Sequence, residues 1–236
     1  MRWAATLLLL VLPVTSAGPE AIQPGDLATT GSSSCTLGFV FDGTGKLAGN
    51  VYASTAAHCV AFVGQGVDTP GHPGFAKVAY LGDSATGETN GIPGKQSDVA
   101  LLLVKPALAA KVKGTVLGHP GLPQGHTTAA ATSAGDVVAL SGWGLGWGAT
   151  AQTREDRVGI LLHDEPALYR MEAPVTFGDS GGPVLHPGGR ALGFVNHLTY
   201  GCCAAGGTGV YYEGVTVERA LAEFAQHGFP VQLRNG

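Results

Sequence analysis

The chain has 236 residues, of which 44% are hydrophobic and only 13% are charged, and its formal net charge is −4. Its 13 basic residues form no cluster, so it lacks the positive surface that phosphate backbones require, and we expect no nucleic-acid partner. The 38 glycines and 14 prolines favour short strands joined by tight turns over long helices, which predicts an all-β fold.

The first seventeen residues have the layout of a secretory signal peptide. Met1 and Arg2 precede an apolar run from Trp3 to Val14, and small residues then lead to Ala17, after which we expect cleavage. The run is shorter than the roughly 20 apolar residues that cross a bilayer. We therefore predict a secreted, extracellular protein of residues 18–236, with no membrane contact after cleavage.

Turn signals divide the mature sequence into short apolar segments. Residues 18–34 are rich in Gly, Pro, Ser and Thr and predict a loosely held lead-in, and the dense Gly and Pro of residues 64–74 predict a loop. The predicted strands are 36–41, 50–55, 75–81, 98–104, 137–143, 158–163, 191–196 and 209–216.

One helix is predicted at the end of the chain. Apolar residues recur there at helical spacing, at Val217, Ala220, Leu221 and Phe224, before the helix ends at Gly228. The best boundary between two halves of the domain lies near residues 111–127.

The hexapeptide GDSGGP at 178–183 contains the candidate nucleophile, Ser180. A serine hydroxyl is a weak nucleophile, so it needs a base to take its proton and donors to hold the oxyanion that forms. The flanking glycines allow the amides of Gly178 and Ser180 to point at one spot, which would be the oxyanion hole. A Gly-rich turn that contains a serine is also common in β proteins, and it is the alternative for this hexapeptide alone.

The candidate base is His58, in the segment STAAHC at 54–59, where small residues allow close packing around the imidazole. The other histidines lie mostly beside Gly or Pro and, except for His197, are interpreted as surface residues. Asp98 leads directly into an apolar strand, so its carboxylate should be partly buried and needs a partner. The far nitrogen of a catalytic histidine would serve, although a turn residue that caps the strand is the alternative.

Four motifs occur in register along the chain: TAAHC at 55–59, DVALL at 98–102, SGWG at 141–144 and GDSGGP at 178–183. Together they resemble the trypsin/chymotrypsin family of serine proteases, in its His, Asp, Ser order. Within that family, the segments IQPGD at 22–26, CTLGF at 35–39 and ALGF at 191–194 are similar to secreted actinobacterial members of the streptogrisin kind. This resemblance implies two perpendicular six-stranded Greek-key β-barrels and a C-terminal α-helix, with His58, Asp98 and Ser180 in the cleft between the barrels.

The resemblance also implies a disulfide and a substrate pocket. The family's disulfide beside the catalytic histidine would join Cys35 to Cys59. The implied substrate-binding residues are Pro174, Val175, Phe177, Asn196, His197, Leu198 and Gly209. Asn196 could hydrogen-bond Asp98, whereas Leu198 would narrow the primary pocket. Because no acidic residue lies at the pocket floor, we predict a neutral, apolar side chain before the cleaved bond.

Two features depart from the family pattern. Cys202 and Cys203 are adjacent, and a vicinal disulfide, two free thiols and an intermolecular bond are all open. The family pairs the aspartate of this motif with an amino terminus freed at an Ile-Val-Gly-Gly start, or with an arginine ahead of the Gly-Trp-Gly motif. This chain has neither that start nor an arginine between Ala129 and Leu140, so Asp179 must find a cation, a set of amides or water. A new terminus at Ile22, Arg154 and Arg157 are the alternative partners for Asp179.

The sequence thus predicts a secreted serine endopeptidase that acts on protein or peptide substrates through an acyl-enzyme. We expect a monomer, for which a protein inhibitor is a candidate partner. The chain has no Cys-x-x-Cys or His-Glu-x-x-His spacing, so we expect no metal and no cofactor. The alternative is a secreted protease-like binding protein of weak or no catalytic activity, which the intact set of His58, Asp98 and Ser180 disfavours.

Overall fold

The computed structural model describes residues 21–31, 33–83, 97–144, 157–164, 168–202 and 208–236. The predicted signal peptide, Arg154 and Cys203 lie outside these residues. The described strands are β1 (Leu27–Thr30), β2 (Ser33–Thr36), β3 (Val40–Gly43), β4 (Val51–Thr55), β5 (Gly66–Thr69), β6 (His72–Leu81), β7 (Ala100–Val104), β8 (Val137–Leu140), β9 (Arg157–Asp164), β10 (Leu168–Glu172), β11 (Pro183–His186), β12 (Arg190–Phe194), β13 (His197–Cys202), β14 (Thr208–Val215) and β15 (Val231–Leu233). One α-helix, α1 (Val217–Gln226), lies between β14 and β15.

These strands form two antiparallel sheets. The first has eight strands, in the order β15-β3-β4-β7-β6-β5-β1-β2, and the second has seven, in the order β12-β11-β8-β9-β10-β14-β13. Strands β1–β7 build the first sheet and β8–β14 the second, while β15 returns to pair with β3. The all-β, double-barrel fold with a single C-terminal helix is confirmed, although edge strands raise the count of each sheet above six. No helix among the described residues has the length and apolar character needed to cross a bilayer.

The predicted loop at 64–74 is wrong, because these residues form β5 and the start of β6. Thr69 pairs with His72, which leaves Pro70 and Gly71 as a two-residue hairpin turn. Gly71 has a φ of 75°, in the left-handed region that such a turn requires. The Gly and Pro residues therefore mark a turn inside a hairpin.

The first predicted elements also need correction. The lead-in at 18–34 is not loose throughout, since β1 pairs with β2 from Leu27↔Thr36 to Thr30↔Ser33. The predicted strand 36–41 is split between β2 and β3, because the chain changes partners there. Gly38 N donates to Ser54 O at 2.7 Å, and a Cβ on Gly38 would lie 2.5 Å from Ser54 Oγ. A glycine is thus needed where the chain passes from β2 to β3 against β4.

The two sheets share one buried cluster, in which the rings of Phe39 and Phe194 meet edge to face with centroids 5.6 Å apart. Helix α1 buries Phe224 in the same cluster, 5.8 Å from the ring of Phe41. The predicted helix is confirmed, and Thr216 caps its start by accepting a hydrogen bond from the Arg219 N–H. This shared core fixes the two sheets around the cleft between them.

Candidate active site

Strand pairing brings His58 to Asp98. His58 lies in the 3-10 turn after β4, Asp98 lies directly before β7, and the ends of these strands pair at Thr55↔Ala100. His58 Nδ1 is 2.7 Å from Asp98 Oδ2, and the backbone N–H of His58 donates to Asp98 Oδ1 at 2.9 Å. These two contacts fix the position of the ring. With Nδ1 as the donor, Nε2 keeps a lone pair that can accept a proton.

Asp98 is buried, with 1% of its surface exposed. Asn196 Nδ2 donates to the Asp98 carbonyl at 2.5 Å and lies 3.3 Å from Oδ2, so the hydrogen bond anticipated for Asn196 is present. Burial disfavours the charged carboxylate, but contacts with His197 and His58 outweigh it and hold the pKa of Asp98 well below its usual range. Asp98 is therefore an anion that can stabilise a protonated His58.

His197 brings a second imidazole to the same carboxylate oxygen. Its Nε2 lies 3.1 Å from Asp98 Oδ2, and its ring centroid lies 5.8 Å from that of His58. The contact is an electrostatic one, because the buried Nε2 has no hydrogen-bond partner within the part of the chain that the structure describes. The Asp98 carboxylate raises the pKa of His197. The pattern of the sequence gave no sign of this approach to Asp98.

Ser180 lies in a tight loop at 177–182. Gly178 and Gly181 have φ values of 101° and 86°, which residues with a side chain rarely adopt. Among the described residues, no atom accepts a hydrogen bond from the Gly178 or Ser180 N–H, so both are free to bind an oxyanion. No hydrogen bond joins the Ser180 hydroxyl to His58 in the described structure; in free enzymes such bonds are often long and tighten on substrate binding.

Thr36 holds the Ser180 loop from the first half of the chain. Its backbone N–H donates to Ser180 O at 2.9 Å, and its hydroxyl donates to Gly178 O at 2.7 Å. The same hydroxyl accepts from the Trp143 N–H at 2.9 Å. The sequence around Thr36 carries no signal of its contact with the Ser180 loop, because Gly178 is 142 residues away along the chain.

The buried Asp179 carboxylate is paired with Arg157. Arg157 Nη1 and Nη2 each lie 2.5 Å from one carboxylate oxygen, in a two-pronged contact, and the Thr176 N–H donates to Oδ2 at 2.8 Å. Arg157 is thus the partner among the three alternatives that the sequence left open. Ile22 lies elsewhere, where its N–H donates to Lys111 O at 3.1 Å.

This ion pair explains the glycines of the SGWG motif. A Cβ on Gly142 would lie 2.5 Å from Asp179 Oδ1, and a Cβ on Gly144 would lie 2.5 Å from Oδ2. Both distances are too short for any side chain. The motif therefore gives the Asp179 carboxylate room to reach Arg157.

The predicted Cys35–Cys59 disulfide is present. It ties the turn that carries His58 to β2, and Cys59 Sγ lies 3.9 Å from Ser180 O. The disulfide therefore borders both the His58 turn and the Ser180 loop. The side chain of Cys202 and all of Cys203 lie outside the described residues.

The implied pocket residues come from two segments. Pro174, Val175 and Phe177 lie between β10 and Ser180, where Val175 is buried and the other two are exposed. Asn196 precedes β13, which begins with His197 and Leu198 and lies at the edge of the second sheet.

Tyr212 links these two segments. It pairs with Leu198 across the strands, and its hydroxyl donates to Val175 O at 2.6 Å. The sequence analysis missed this tyrosine. Gly209 pairs with Gly201, further along the β13–β14 hairpin.

Comparisons with known proteins show which family and which solved structures this chain is similar to. The family model for the trypsin-like peptidase domain matches residues 36–194. No curated protein matches the sequence. Among solved structures, protease A of Thermobifida fusca is similar, with 22% identity over 92% of this chain and 100% of that chain and a TM-score of 0.61. The Rv3671c protease of M. tuberculosis H37Rv in its inactive form has 18% identity over 87% of this chain and 89% of that chain, with a TM-score of 0.49. At these identities, the first of the two structures supports the fold alone.

Proposed function

The chain belongs to the trypsin-like peptidase family and is a serine peptidase, and from that premise we propose that it is a secreted endopeptidase whose catalytic residues are His58, Asp98 and Ser180. The observation that carries this proposal is the 2.7 Å contact between His58 Nδ1 and the buried Asp98 Oδ2. It orients the imidazole so that Nε2 can act as a base.

The proposed reaction has two steps. His58 takes the proton of Ser180 as the hydroxyl oxygen attacks the substrate carbonyl, and then gives that proton to the leaving amine. The acyl group stays on Ser180 until a water molecule, activated by His58 in the same way, hydrolyses it. The N–H groups of Gly178 and Ser180 bind the oxyanion in both steps, and the loss of one such donor typically costs about 10²–10³ in kcat.

The ion pair between Arg157 and Asp179 supports a Ser180 loop that is ordered without an activation cleavage of the chain. Asp179 already has a cation within the folded chain, at 2.5 Å, so a freshly cut amino terminus is not required to pair with it. We expect the enzyme to be active whatever residue begins the mature chain.

We propose that the side chain before the cleaved bond is neutral and apolar. Val175 is buried at its expected floor, and Glu213, opposite His197, is paired with Arg170 at 2.6 Å, so its charge is balanced. Strand β13 is an edge strand, to which an extended protein or peptide substrate can add as a further strand. A protein inhibitor would dock in the same way, on a monomeric enzyme.

Secretion is proposed from the predicted signal peptide at 1–17, which leaves a protease domain at 18–236 whose two halves meet near 111–127. The Cys35–Cys59 disulfide supports this proposal, because such bonds persist in oxidising compartments. Mass spectrometry of the protein from culture medium should give a terminus at Gly18. Protein retained inside the cells with Met1 in place would contradict secretion.

A fluorophosphonate label tests the catalytic assignment. Peptide mapping should find the label on Ser180, and Ser180→Ala should abolish it. Ser34→Ala is the matched control, because Ser34 is exposed on β2, away from the site, and should leave labelling unchanged. A folded protein that takes no label would favour the alternative, a secreted protease-like binding protein.

A further inference from the structure

We propose that His58, Asp98 and His197 form an inhibitory site for a divalent transition metal ion, and that Zn²⁺ is the ion that fits it best. One donor atom from each residue lies within 4.8 Å of the other two. The proposal rests on the function proposed above, because the ion would act by occupying two residues of the catalytic set.

The distances within the cluster are close to those of a zinc site. Asp98 Oδ2 lies 2.7 Å from His58 Nδ1 and 3.1 Å from His197 Nε2. Zinc bonds of about 2.0–2.1 Å place tetrahedral ligand atoms roughly 3.3 Å apart. These two contacts would need to widen by only about 0.2–0.6 Å to reach that spacing, and the third pair, His58 with His197, lies within 4.8 Å.

The donor set is also right for zinc. Two imidazole nitrogens and one carboxylate oxygen leave a fourth position for water, as in zinc sites with three protein ligands. Asp98 supplies one negative charge to balance the cation. His197 Nε2 is buried and makes no hydrogen bond to another described residue, so no such bond must be broken for it to bind.

Neighbouring residues hold the carboxylate in place, and solvent can reach the site. The His58 N–H donates to Asp98 Oδ1, and Asn196 donates to the Asp98 backbone, which orients the ligand as outer-shell partners do. The side chain of His58 is 35% exposed and that of His197 is 23% exposed. An ion can therefore approach over the exposed part of the two rings and would lose water as it reaches the buried His197 Nε2 and Asp98.

A second group of candidate ligands can be dismissed. Cys35, His58 and Cys59 also lie close together, but the two sulfurs are joined in the disulfide. A disulfide sulfur offers no thiolate to a metal. Within the described residues, His197 is thus the ligand that turns the His58–Asp98 contact into a metal site.

Metal binding would stop catalysis by changing the protonation of His58 Nε2. An ion on Nδ1 displaces the proton there, so the neutral imidazole must carry its proton on Nε2. Nε2 is then a donor and cannot accept the proton of Ser180. Removal of the ion by a chelator restores the working tautomer, so the inhibition is reversible.

Cobalt provides a test that does not depend on activity. Ser180→Ala, which removes no ligand, is titrated with Co²⁺ while its visible absorption is recorded. We expect about one equivalent to bind with the bands of a nitrogen- and oxygen-ligated ion. Adding His197→Gln should weaken binding by about 100-fold or more, beyond the 10–100-fold typical of a lost outer-shell partner. Adding His72→Gln is the matched control and should change nothing.

Three results would overturn the proposal. They are no binding in Ser180→Ala, equal affinity with and without His197→Gln, and a sulfur-to-cobalt band that places the ion on Cys202 or Cys203. A parallel assay measures the ratio of peptidase activity in Zn²⁺ to that in chelator, which should rise toward one in His197→Gln. Fluorophosphonate labelling without a cobalt site would sink only the metal proposal, whereas a cobalt site without labelling would sink the catalytic assignment, and with it the inhibitory role of the ion, but not the metal site.

Discussion

Backbone pairing builds one side of the candidate active site, whereas side chains that reach across the molecule build the other. On the first sheet, β4 and β7 are neighbours, so their ends bring His58 to Asp98. On the second, Ser180 lies in a loop whose shape depends on Arg157 and on Thr36. We therefore expect substitutions on the first side to lower activity while the fold persists, and substitutions on the second side to lower both activity and stability.

The largest effect on the first side is expected from Asp98→Asn. The amide favours the wrong tautomer of His58, so kcat should fall by about 10⁴ while the fold persists. Steady-state kinetics with a peptide substrate and circular dichroism test both parts. Asp136→Asn is the control, since Asp136 also contacts a histidine, His186 at 2.9 Å, but away from the site. A loss of structure in Asp98→Asn would contradict the expected difference between the two sides of the site.

On the second side, Arg157→Met should cost both stability and activity. It leaves the buried Asp179 without its cation, which typically lowers the free energy of unfolding by about 3–5 kcal/mol. Urea denaturation measures this loss, and a labelling rate at Ser180 measures the damage to the loop. Arg154→Met, the other arginine that the sequence proposed, should change neither. A large effect in Arg154→Met would show that the ion pair is assigned to the wrong residue.

The Cys35–Cys59 disulfide contacts both sides of the site, so its removal should affect activity and stability together. Cys35→Ser with Cys59→Ser opens a link of 24 residues and should lower the free energy of unfolding by about 3 kcal/mol. Because Cys59 adjoins His58 and Cys59 Sγ lies 3.9 Å from Ser180 O, kcat should fall as well. A variant with normal kcat near 20 °C and reduced stability alone would confine the disulfide to a structural role.

The smallest effect is expected from Thr36→Val. Loss of the hydroxyl removes the hydrogen bond that it donates to Gly178 O and the one that it accepts from the Trp143 N–H, at a cost of about 1–3 kcal/mol in unfolding free energy. Since Gly178 carries a proposed oxyanion donor, kcat should fall more than KM rises. Thr36→Ser keeps the hydroxyl and should restore most of the loss. Thr29→Val, a matched change on β1, should leave kcat unaltered.

The same contrast explains what the sequence could predict. The family, the all-β fold, the terminal helix and the Cys35–Cys59 disulfide were all within reach, because their signals are local motifs and periodicities. Strand β5 was missed because its flanking Gly and Pro resemble those of a loop, although Gly71 closes a hairpin. Thr36 and Tyr212 were missed because their hydrogen-bond partners are distant in sequence.

The pairing of Asp179 with Arg157 could be predicted only in part from the sequence. The buried charge of Asp179 predicted that it needs a cation, a set of amides or water, and the sequence offered three candidate cations. Only the register of β9 in the second sheet decides which of them reaches the carboxylate. His197 is similar, since its approach to Asp98 depends on how β13 leaves Asn196.

The central claim is that Ser180 forms an acyl-enzyme with the help of His58 and Asp98. Rapid mixing with a chromogenic ester, followed by acid quench and mass mapping, tests it most directly. The account predicts a burst of about one product per chain, with the acyl group on Ser180. Ser180→Ala should show neither. Turnover with no burst, or an acyl group on any other residue, would contradict it.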